Sequence, residues 1–383
     1  MILRLLIILF IQLPLYASVT LLYFNDTHEI HPVRDSFGER GGLARLKTCI
    51  DSVKTEHPDA LVIFGGDCAG GTLFGALYQG KPIIHAMNLI PVDMATFGQH
   101  DFDYGLENTR ELVESSTFEW FTTNLDSGEY SLFNLPKYLI KRINGYELGF
   151  LGLTDAMSTT SRVPVDQGNL ISAVKQVLPK LKFCDVIVAL TQTTPEMNQN
   201  LLNSCPEIDL ILTEERGENR SVIDHIGTKA IVYPSGNAGH IVQVNINKDK
   251  NTPEFIFKII PVDNRVQPNP GLSDFAFMHS GGIRAGVSKG RVYFNNILAV
   301  LPFGNTIVKV SMSGKHIKNM IEQRLSETET SNSRLLQRSG GPMCMTAKSR
   351  PETGFLRYLL KSTDRSAKTI YSCNTGLSFK RWG

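Results

Sequence analysis

Two short polar segments near the start of the chain carry side chains that could bind divalent cations. Asp26 and His28 form a D-x-H pair directly after the apolar run "VTLLYF", and Asp67 lies among glycines in "FGGDCAGG". Alternate residues at a strand end can both turn toward one ion, and glycines let the main chain approach a charged group closely. Carboxylates and imidazoles are common ligands of divalent cations. The two segments therefore predict a cation site in which the carboxylate of Asp67 can bridge two ions.

A third segment, "TFGQHDFDYG" (residues 96–105), places a histidine between an amide and two carboxylates. His100 and Asp103 could form a dyad in which the carboxylate orients the imidazole and stabilises its protonated form. Such a pair can hold and move a proton. We therefore predict that His100 and Asp103 are catalytic residues.

The elements that must position these residues are short strands that alternate with helices from residue 18 to about 246. Apolar residues with helical spacing form one face at Leu43, Leu46, Ile50 and Val53, and another at Val174, Val177, Leu178 and Leu181. Strand–helix alternation favours an α/β sandwich or a doubly wound sheet. The apolar runs that predict buried strands are residues 19–24, 60–64, 92–97, 147–153, 184–190, 208–212 and 229–233.

Polar loops follow five of these predicted strands. Their sequences are "NDTH", "GGDCAGG", "GQHDFD", "TQTT" and "TEERGE". In open α/β folds, ligands bind beyond the carboxyl ends of the strands, where loops from separate strands meet. Five such loops at one edge indicate a ligand site more strongly than any one of them alone.

Length, charge and cysteine content narrow the possible classes of protein. The chain has 383 residues, enough for two domains, and a net charge of +2, which gives no argument for a nucleic-acid partner. The six cysteines form no C-x-x-C pair, so neither a zinc knuckle nor a disulfide-dense scaffold is indicated. Residues 1–17 have the layout of a signal peptide, which predicts export to a periplasm or the extracellular space. An uncleaved anchor is the alternative, although the apolar run is short for a stable membrane span.

The pattern divides the chain into five predicted regions. A signal peptide covers residues 1–17, the α/β domain covers 18–247, and a closing strand and proline-rich linker occupy 248–270. A second domain over 271–330 shows strands, a glycine turn and a helix. The remaining residues, 331–383, form a basic tail in which no regular pattern persists.

These motifs, in this order, resemble the calcineurin-like metallophosphoesterases, and within them the 5'-nucleotidase family. The resemblance extends over roughly residues 19–215 and then to two segments of the family's C-terminal domain. It implies a four-layer α/β fold of two mixed sheets flanked by helices, followed by a second, truncated α+β domain. The segments that carry the resemblance are "LLYFNDTHEI", "GGLARL", "GGDCAGGT", "MNLIPVDMATFGQHDFDYG", "TTNL", "PEIDLIL", "FAFMHSGGIRAG" and "VLPFGN".

The resemblance also implies two divalent metal ions and a water that attacks the phosphoryl group in line, with His100 assisting. Position by position, the first ion would use Asp26, His28 and the bridging Asp67. The residues at the second ion's positions, beside Asp67, are Gln99, Gln192 and Glu215.

This chain departs from the family pattern at both ions, since the family's further histidine on the first ion falls on Gly217 and three ligands differ at the second ion. Gln99 replaces an asparagine, Gln192 replaces a histidine, and a histidine pair is replaced by Glu215 and Gly217. Oxygen ligands suit Mg²⁺, Mn²⁺ or Ca²⁺ better than Zn²⁺, so one interpretation is a retuned phosphoester hydrolase. The other is a catalytically inactive protein that binds nucleotides or anions on the same scaffold. The sequence leaves both open and favours the hydrolase slightly.

In the second domain, the resemblance assigns three residues to the substrate, a small phosphate ester such as a nucleotide. Arg284 would bind phosphate or ribose, Phe303 would stack on the base, and Asn305 would contact its edge. His279 stands where the family has an asparagine before the glycines, and this replacement weakens the contact that the family's asparagine makes. The sequence makes no prediction of oligomeric state.

Overall fold

The computed structural model describes most of the chain up to residue 269 and four short strands beyond it. The chain divides into two compact units between Leu272 and Ser273. The predicted signal peptide at 1–17 and the predicted substrate residues Arg284, Phe303 and Asn305 lie outside the described residues. These are 18–127, 130–155, 168–249 and 252–269, with the main chain of 276–279, 336–339, 370–374 and 378–382.

The described residues of the first unit form two six-stranded sheets and two hairpins. Their strands are β1 (Val19–Phe24), β2 (Val33–Asp35), β3 (Gly38–Arg40), β4 (Leu61–Phe64), β5 (Met94–Ala95), β6 (Glu119–Trp120), β7 (Asp126–Ser127), β8 (Tyr130–Ser131), β9 (Leu139–Ile143), β10 (Tyr146–Thr154), β11 (Val186–Gln192), β12 (Leu210–Thr213), β13 (Val222–Ile226), β14 (Lys229–Tyr233), β15 (His240–Asp249) and β16 (Thr252–Pro261).

Helices lie between many of these strands. The α-helices of the described residues are α1 (Leu43–Glu56), α2 (Leu73–Tyr78), α3 (Lys81–Met87), α4 (Gly105–Ser115), α5 (Leu170–Leu181) and α6 (Pro195–Ser204), and the 3₁₀ helices are Gln99–Phe102 and Leu132–Asn134.

Both large sheets are mixed. The first has the order β16-β15-β1-β4-β5-β6, in which β1, β4, β5 and β6 are parallel, β15 is antiparallel to β1, and β16 is antiparallel to β15. The second has the order β13-β14-β12-β11-β10-β9, with β14, β12, β11 and β10 parallel and antiparallel strands at both edges. Parallel strands end at the same edge of a sheet, so the loops that follow them meet there.

The sheets pack face to face with helices on their outer faces. In β1, Leu21 and Tyr23 join the apolar cluster between the sheets, whereas Leu22 and Phe24 join the cluster beneath the helices. A strand that is buried on both faces needs apolar residues at every position, which is why these strands appear in the sequence as continuous apolar runs. The predicted four-layer arrangement of two mixed sheets and flanking helices is confirmed.

The helical faces predicted from the sequence are also confirmed. The apolar face of α1 packs in the cluster on the outer side of the first sheet, and the apolar face of α5 packs on the outer side of the second. Each face repeats at three- and four-residue intervals, so it covers one side of a sheet and leaves polar residues outside.

Aspartates placed just before two strands hold the amino ends of neighbouring strands. Asp93 accepts a 2.8 Å hydrogen bond from the main-chain nitrogen of Val62 in β4. Asp209 accepts one of the same length from the main-chain nitrogen of Ile187 in β11. These bonds fix strand register at the edge opposite to the polar loops.

Some predicted boundaries differ from the structure. The apolar run at 92–97 forms only the two-residue strand β5, although the main chains of Asp93 and Thr96 on either side of it still donate hydrogen bonds to β4. The range predicted as closing strand and linker, 248–270, contains β16, which pairs with β15 along its whole length. The closing strand predicted in this range is therefore β16, and a linker that begins at residue 248 is too long, because the first sheet continues to Pro261.

The described strands of the second unit form two antiparallel pairs. They are β17 (Ala276–His279) with β18 (Leu336–Ser339), and β19 (Ile370–Asn374) with β20 (Ser378–Trp382). β18, β19 and β20 lie within the predicted patternless tail at 331–383, so regular structure extends beyond the predicted boundary at residue 330.

Among the described residues, no helix combines the length and the apolar character that a membrane crossing requires.

Candidate metal centre

The loops after β1 and β4 bring three predicted metal ligands together. β1 and β4 are parallel neighbours, and their loops are joined by hydrogen bonds from the nitrogen of Asp26 to the oxygen of Gly66 (3.1 Å) and from Thr27 to Asp67 (2.9 Å). One ligand atom each of Asp26, His28 and Asp67 lies within 4.8 Å of the other two. The D-x-H pair and the glycine-flanked aspartate therefore face one common point.

The main chain around these carboxylates adopts unusual conformations. Asp26 has φ 49° and Asp67 has φ 65°, in the left-handed region that a short polar side chain tolerates better than most. Gly66 has φ 105°, and a Cβ there would lie 2.4 Å from the main-chain nitrogen of Gly98. Glycine is thus required where the two loops touch, and such backbone strain is typical of functional sites.

His28 is prepared to act as a neutral metal ligand. Its Nδ1 lies 2.9 Å from the carbonyl oxygen of Gly70, to which it donates, so its Nε2 keeps a free lone pair. This Nε2 lies 3.9 Å from Oδ1 of Asp26. Burial, together with the charge of His100, lowers the pKa of His28, which favours the neutral ring that a cation needs.

The predicted dyad of His100 and Asp103 is formed. Nδ1 of His100 lies 2.8 Å from Oδ2 of Asp103, and this hydrogen bond is the largest cause that raises the pKa of His100 to about 9. The rings of His28 and His100 meet edge to face, with centroids 5.6 Å apart. Asp103 packs so closely on Gly70 that a Cβ there would lie 1.8 Å from its Oδ2.

The loop of the dyad is bonded directly to the bridging carboxylate. The main-chain nitrogen of His100 donates to Oδ1 of Asp67 over 2.7 Å. Gln99 is half-buried and begins the 3₁₀ helix, one residue before this bond. Its main chain therefore lies beside the cluster, and its role as a metal ligand stays a prediction.

Gln192 connects the second sheet to this cluster. It is the last residue of β11, its side chain is buried, and its Nε2 donates to the carbonyl oxygen of Gly65 over 3.1 Å. The Gly65 carbonyl requires the nitrogen end of the amide, so Oε1 is left as the free end, and it is buried without a hydrogen-bond partner. The helix that follows is capped by Thr194, which accepts from the nitrogen of Met197, so Gln192 is not needed as its cap.

The loop after β12 adds two further carboxylates. The Tyr23 hydroxyl in β1 donates to the carbonyl oxygen of Thr213 over 3.0 Å, which joins the ends of the two sheets. The Glu215 carboxyl lies near enough to Asp26 to help raise the pKa of Asp26. Burial, followed by the charges of Glu215 and Asp155, raises the pKa of Glu214 to about 7.

Glu214 is a residue that sequence reasoning missed. The sequence assigned a ligand position in "TEERGE" to Glu215 and none to Glu214, yet the charge of Glu214 helps to raise the pKa values of Asp26 and Asp67. Its position directly after a fully buried strand, at the same edge as the other polar loops, was the available signal. Gly217 supplies no ligand, and a Cβ at that position would meet nothing within 4 Å.

The charges and unpartnered atoms of this cluster fit a divalent cation. Burial, then contact with Glu215 and the charges of Asp67 and Glu214, raises the pKa of Asp26 well above its usual range. Among the described residues, Oδ2 of Asp26 and Oε1 of Gln192 are buried and lack a hydrogen-bond partner. A cation would neutralise the repulsion and satisfy both oxygens. A donor set of mainly carboxylate and amide oxygens suits Mg²⁺, Mn²⁺ or Ca²⁺.

Comparison with protein families gives two matches along the chain. The family described as calcineurin-like phosphoesterase matches residues 19–238, and the family described as 5'-nucleotidase, C-terminal domain, matches residues 229–361. Among curated proteins, the trifunctional nucleotide phosphoesterase protein YfkN of Bacillus subtilis is 21% identical over 461 residues, which cover 94% of this chain and 31% of YfkN. The chain spans about a third of the length of the first curated relatives it matches.

Solved structures share the fold. The sulfate thiohydrolase SoxB of Thermus thermophilus superposes with a TM-score of 0.59 at 19% identity, over 68% of this chain and 59% of SoxB. A 5'-nucleotidase precursor of Thermus thermophilus gives a TM-score of 0.56 at 18% identity, over 90% of this chain and 88% of that chain. At this identity the likeness establishes the α/β architecture and does not identify the substrate.

Proposed function

The chain belongs to the calcineurin-like phosphoesterase family, and from this premise we propose that it is a metal-dependent hydrolase of phosphate esters. The observation that carries the proposal is the convergence of Asp26, His28 and Asp67, whose ligand atoms lie within 4.8 Å of one another. The family supports a requirement for divalent cations, and the oxygen-rich donor set supports Mg²⁺, Mn²⁺ or Ca²⁺ over Zn²⁺.

Two ions sharing Asp67 are the arrangement that we propose. One would be held by Asp26, His28 and Asp67, and the other by Asp67 with Gln99, Gln192 and Glu215. The free lone pair on Nε2 of His28 and the unpartnered Oε1 of Gln192 support these assignments. Bound divalent cations supply charge neutralisation for phosphate oxygens and activation of a water for attack on phosphorus.

The protein's own contribution to the reaction is proton transfer and orientation. Nδ1 of His100 is hydrogen-bonded to Asp103, so Nε2 is the ring nitrogen available to substrate. We propose that His100 holds a proton at Nε2 and gives it to the leaving oxygen, while Asp103 keeps the ring in place. The short bond from the His100 nitrogen to Asp67 fixes the distance between this dyad and the cation ligands.

Nucleotides are the substrates that we propose first. The match to the 5'-nucleotidase C-terminal domain and the name of YfkN support this class of phosphate ester. Arg284, Phe303 and Asn305 would bind the phosphate or ribose, stack on the base and contact its edge. We also propose export from the cytoplasm, with residues 1–17 as the signal peptide, which the N-terminal sequence of the mature protein tests.

The experiment is a phosphate-release assay on the full chain with AMP and with bis(p-nitrophenyl) phosphate. Each substrate is assayed with EDTA and then with Mg²⁺, Mn²⁺, Ca²⁺ or Zn²⁺. Asp67→Asn is the inactive control, because asparagine tolerates the left-handed main chain at this position while it removes the bridging charge. We expect turnover that requires an oxygen-preferring cation and is lost in Asp67→Asn.

Equal rates for the unsubstituted protein and Asp67→Asn with every ion would exclude hydrolysis at this site. The alternative, a catalytically inactive nucleotide- or anion-binding protein, then makes its own prediction. Calorimetry with AMP in the presence of EDTA would give the same dissociation constant as calorimetry with metal, because binding would depend on Arg284 and Phe303 alone.

A further inference from the structure

We propose that Asp101 is a positioning residue of this centre, holding the loop that carries Asp67 against the loop that carries His100. The inference rests on the proposed metal-dependent function, because it concerns the placement of the bridging carboxylate. The side chain of Asp101 is buried, with 1% of its surface exposed, and it points away from the His100–Asp103 pair.

The two oxygens of Asp101 accept three main-chain hydrogen bonds. Oδ1 accepts from the nitrogen of Cys68 over 2.9 Å. Oδ2 accepts from the nitrogen of Asp67 over 3.0 Å and from the nitrogen of Gly98 over 2.9 Å. Because Asp67 and Gly98 belong to different loops, a single carboxylate oxygen joins the loop after β4 to the loop after β5.

The surrounding contacts leave this junction little room to move. A Cβ on Gly98 would lie 2.0 Å from Oδ1 of Asp67, so the two loops already touch. Asp101 is itself held at its carbonyl oxygen, which accepts a 2.7 Å hydrogen bond from the buried hydroxyl of Thr109 in α4. The helix, Asp101 and the Asp67 loop thus form one continuous chain of hydrogen bonds.

An amide in place of this carboxylate cannot reproduce the arrangement. Asparagine at position 101 has one acceptor oxygen and one donor nitrogen. The three main-chain N–H groups, however, require an acceptor at both terminal atoms of the side chain. At least one buried N–H group is then left without a partner and faces another donor. The loop that carries Asp67, with its left-handed main chain, should relax and move the bridging carboxylate away from His28.

The experiment compares Asp101→Asn with a matched control, Asp93→Asn, in the full chain. Asp93 also accepts a main-chain hydrogen bond of β4, but at the amino end of the strand, away from the centre. We measure Mn²⁺ binding by calorimetry, phosphate release from AMP, and amide hydrogen exchange of peptides covering residues 65–70 and 97–103 in EDTA. We expect Asp101→Asn to weaken Mn²⁺ binding by about 10- to 100-fold and to accelerate exchange in both peptides. Asp93→Asn should change the Mn²⁺ dissociation constant by less than about 3-fold.

The outcomes separate this inference from the proposed function. If the unsubstituted protein binds no Mn²⁺ and releases no phosphate, the proposed function is wrong, and the exchange data alone decide on Asp101. Exchange that is equally fast in Asp101→Asn and in the unsubstituted protein overturns the inference, as does an equal loss of Mn²⁺ affinity in both variants. If Asp101→Asn does not fold, Thr109→Val replaces it, and an unchanged Mn²⁺ dissociation constant in that variant also overturns the inference.

Discussion

Replacing Asp26 by asparagine should stabilise the metal-free protein while it weakens metal binding. Asp26 is buried with one oxygen unpartnered, and it contacts the Glu215 carboxyl and lies close to Asp67. Without a cation, these groups repel one another in a site that excludes water. Asparagine removes one negative charge, can donate a hydrogen bond to Glu215, and tolerates the left-handed main chain with φ 49°.

The distance between the carboxylates sets the size of the effect. The ligand oxygens of Asp26 and Asp67 are no more than 4.8 Å apart, so two full charges repel by about 3.5 kcal/mol at an effective dielectric constant of about 20. Proton uptake and small shifts relieve part of this repulsion in the native protein. We therefore expect Asp26→Asn to raise the free energy of unfolding by about 1–3 kcal/mol in EDTA at about pH 8.

Metal should cancel or reverse this difference in stability. At a concentration of about 100 times its dissociation constant, Mn²⁺ stabilises a protein by about 2.7 kcal/mol. The unsubstituted protein should gain this amount, and Asp26→Asn should gain much less because it has lost a charged ligand. Urea unfolding followed by circular dichroism, once in EDTA and once in Mn²⁺, measures both differences.

Asp209→Asn is the control for a carboxylate without acidic neighbours in the centre. Asp209 accepts a main-chain hydrogen bond from Ile187 at the opposite edge of the second sheet. Its replacement should lower the free energy of unfolding by about 1 kcal/mol, with and without Mn²⁺. If Asp26→Asn instead destabilises the protein in EDTA as Asp209→Asn does, the carboxylates do not repel and the argument for a cation site fails.

Three further substitutions test other parts of the centre. Asp103→Asn removes the carboxylate that orients His100, and we expect kcat for AMP to fall at least about 100-fold, while Mn²⁺ affinity in calorimetry stays the same. Gly98→Ala adds a Cβ that would lie 2.0 Å from Oδ1 of Asp67, so calorimetry should show Mn²⁺ binding weakened by at least about 10-fold. Gln192→Leu removes the unpartnered Oε1, and the stabilisation by Mn²⁺ in urea unfolding should fall by at least about 1 kcal/mol. Unchanged values in these measurements would contradict the respective roles.

The sequence predicted the layers of this fold because strands that are buried on both faces appear in the sequence as mostly apolar runs. Strands such as β1 and β11 show mostly apolar runs, and α1 and α5 show one apolar face each. The loops that follow parallel strands must meet at one edge, so the convergence of Asp26 and Asp67 was also predictable. The length of a strand was harder to predict, since β5 has two residues although its apolar run covers residues 92–97.

The roles of Glu214 and Asp101 could not be predicted from the amino-acid sequence around them. Glu214 stands in a segment with the composition of a solvated turn, and its burial arises only because the end of the second sheet packs against the loops of the first. Asp101 and Asp103 are both close to His100 in sequence. The 3₁₀ helix places residues three apart on one face, so Asp103 meets the imidazole while Asp101 turns toward the main chain of Asp67.

The state of Gln192 is the one that the proposed retuned metal centre requires. Here the nitrogen end is fixed on Gly65, and the oxygen end is buried without a partner. An unsatisfied buried acceptor costs about 1–3 kcal/mol, a cost that a bound cation removes. Together with the unpartnered oxygen of Asp26, this arrangement supports a centre adapted to an oxygen-preferring ion.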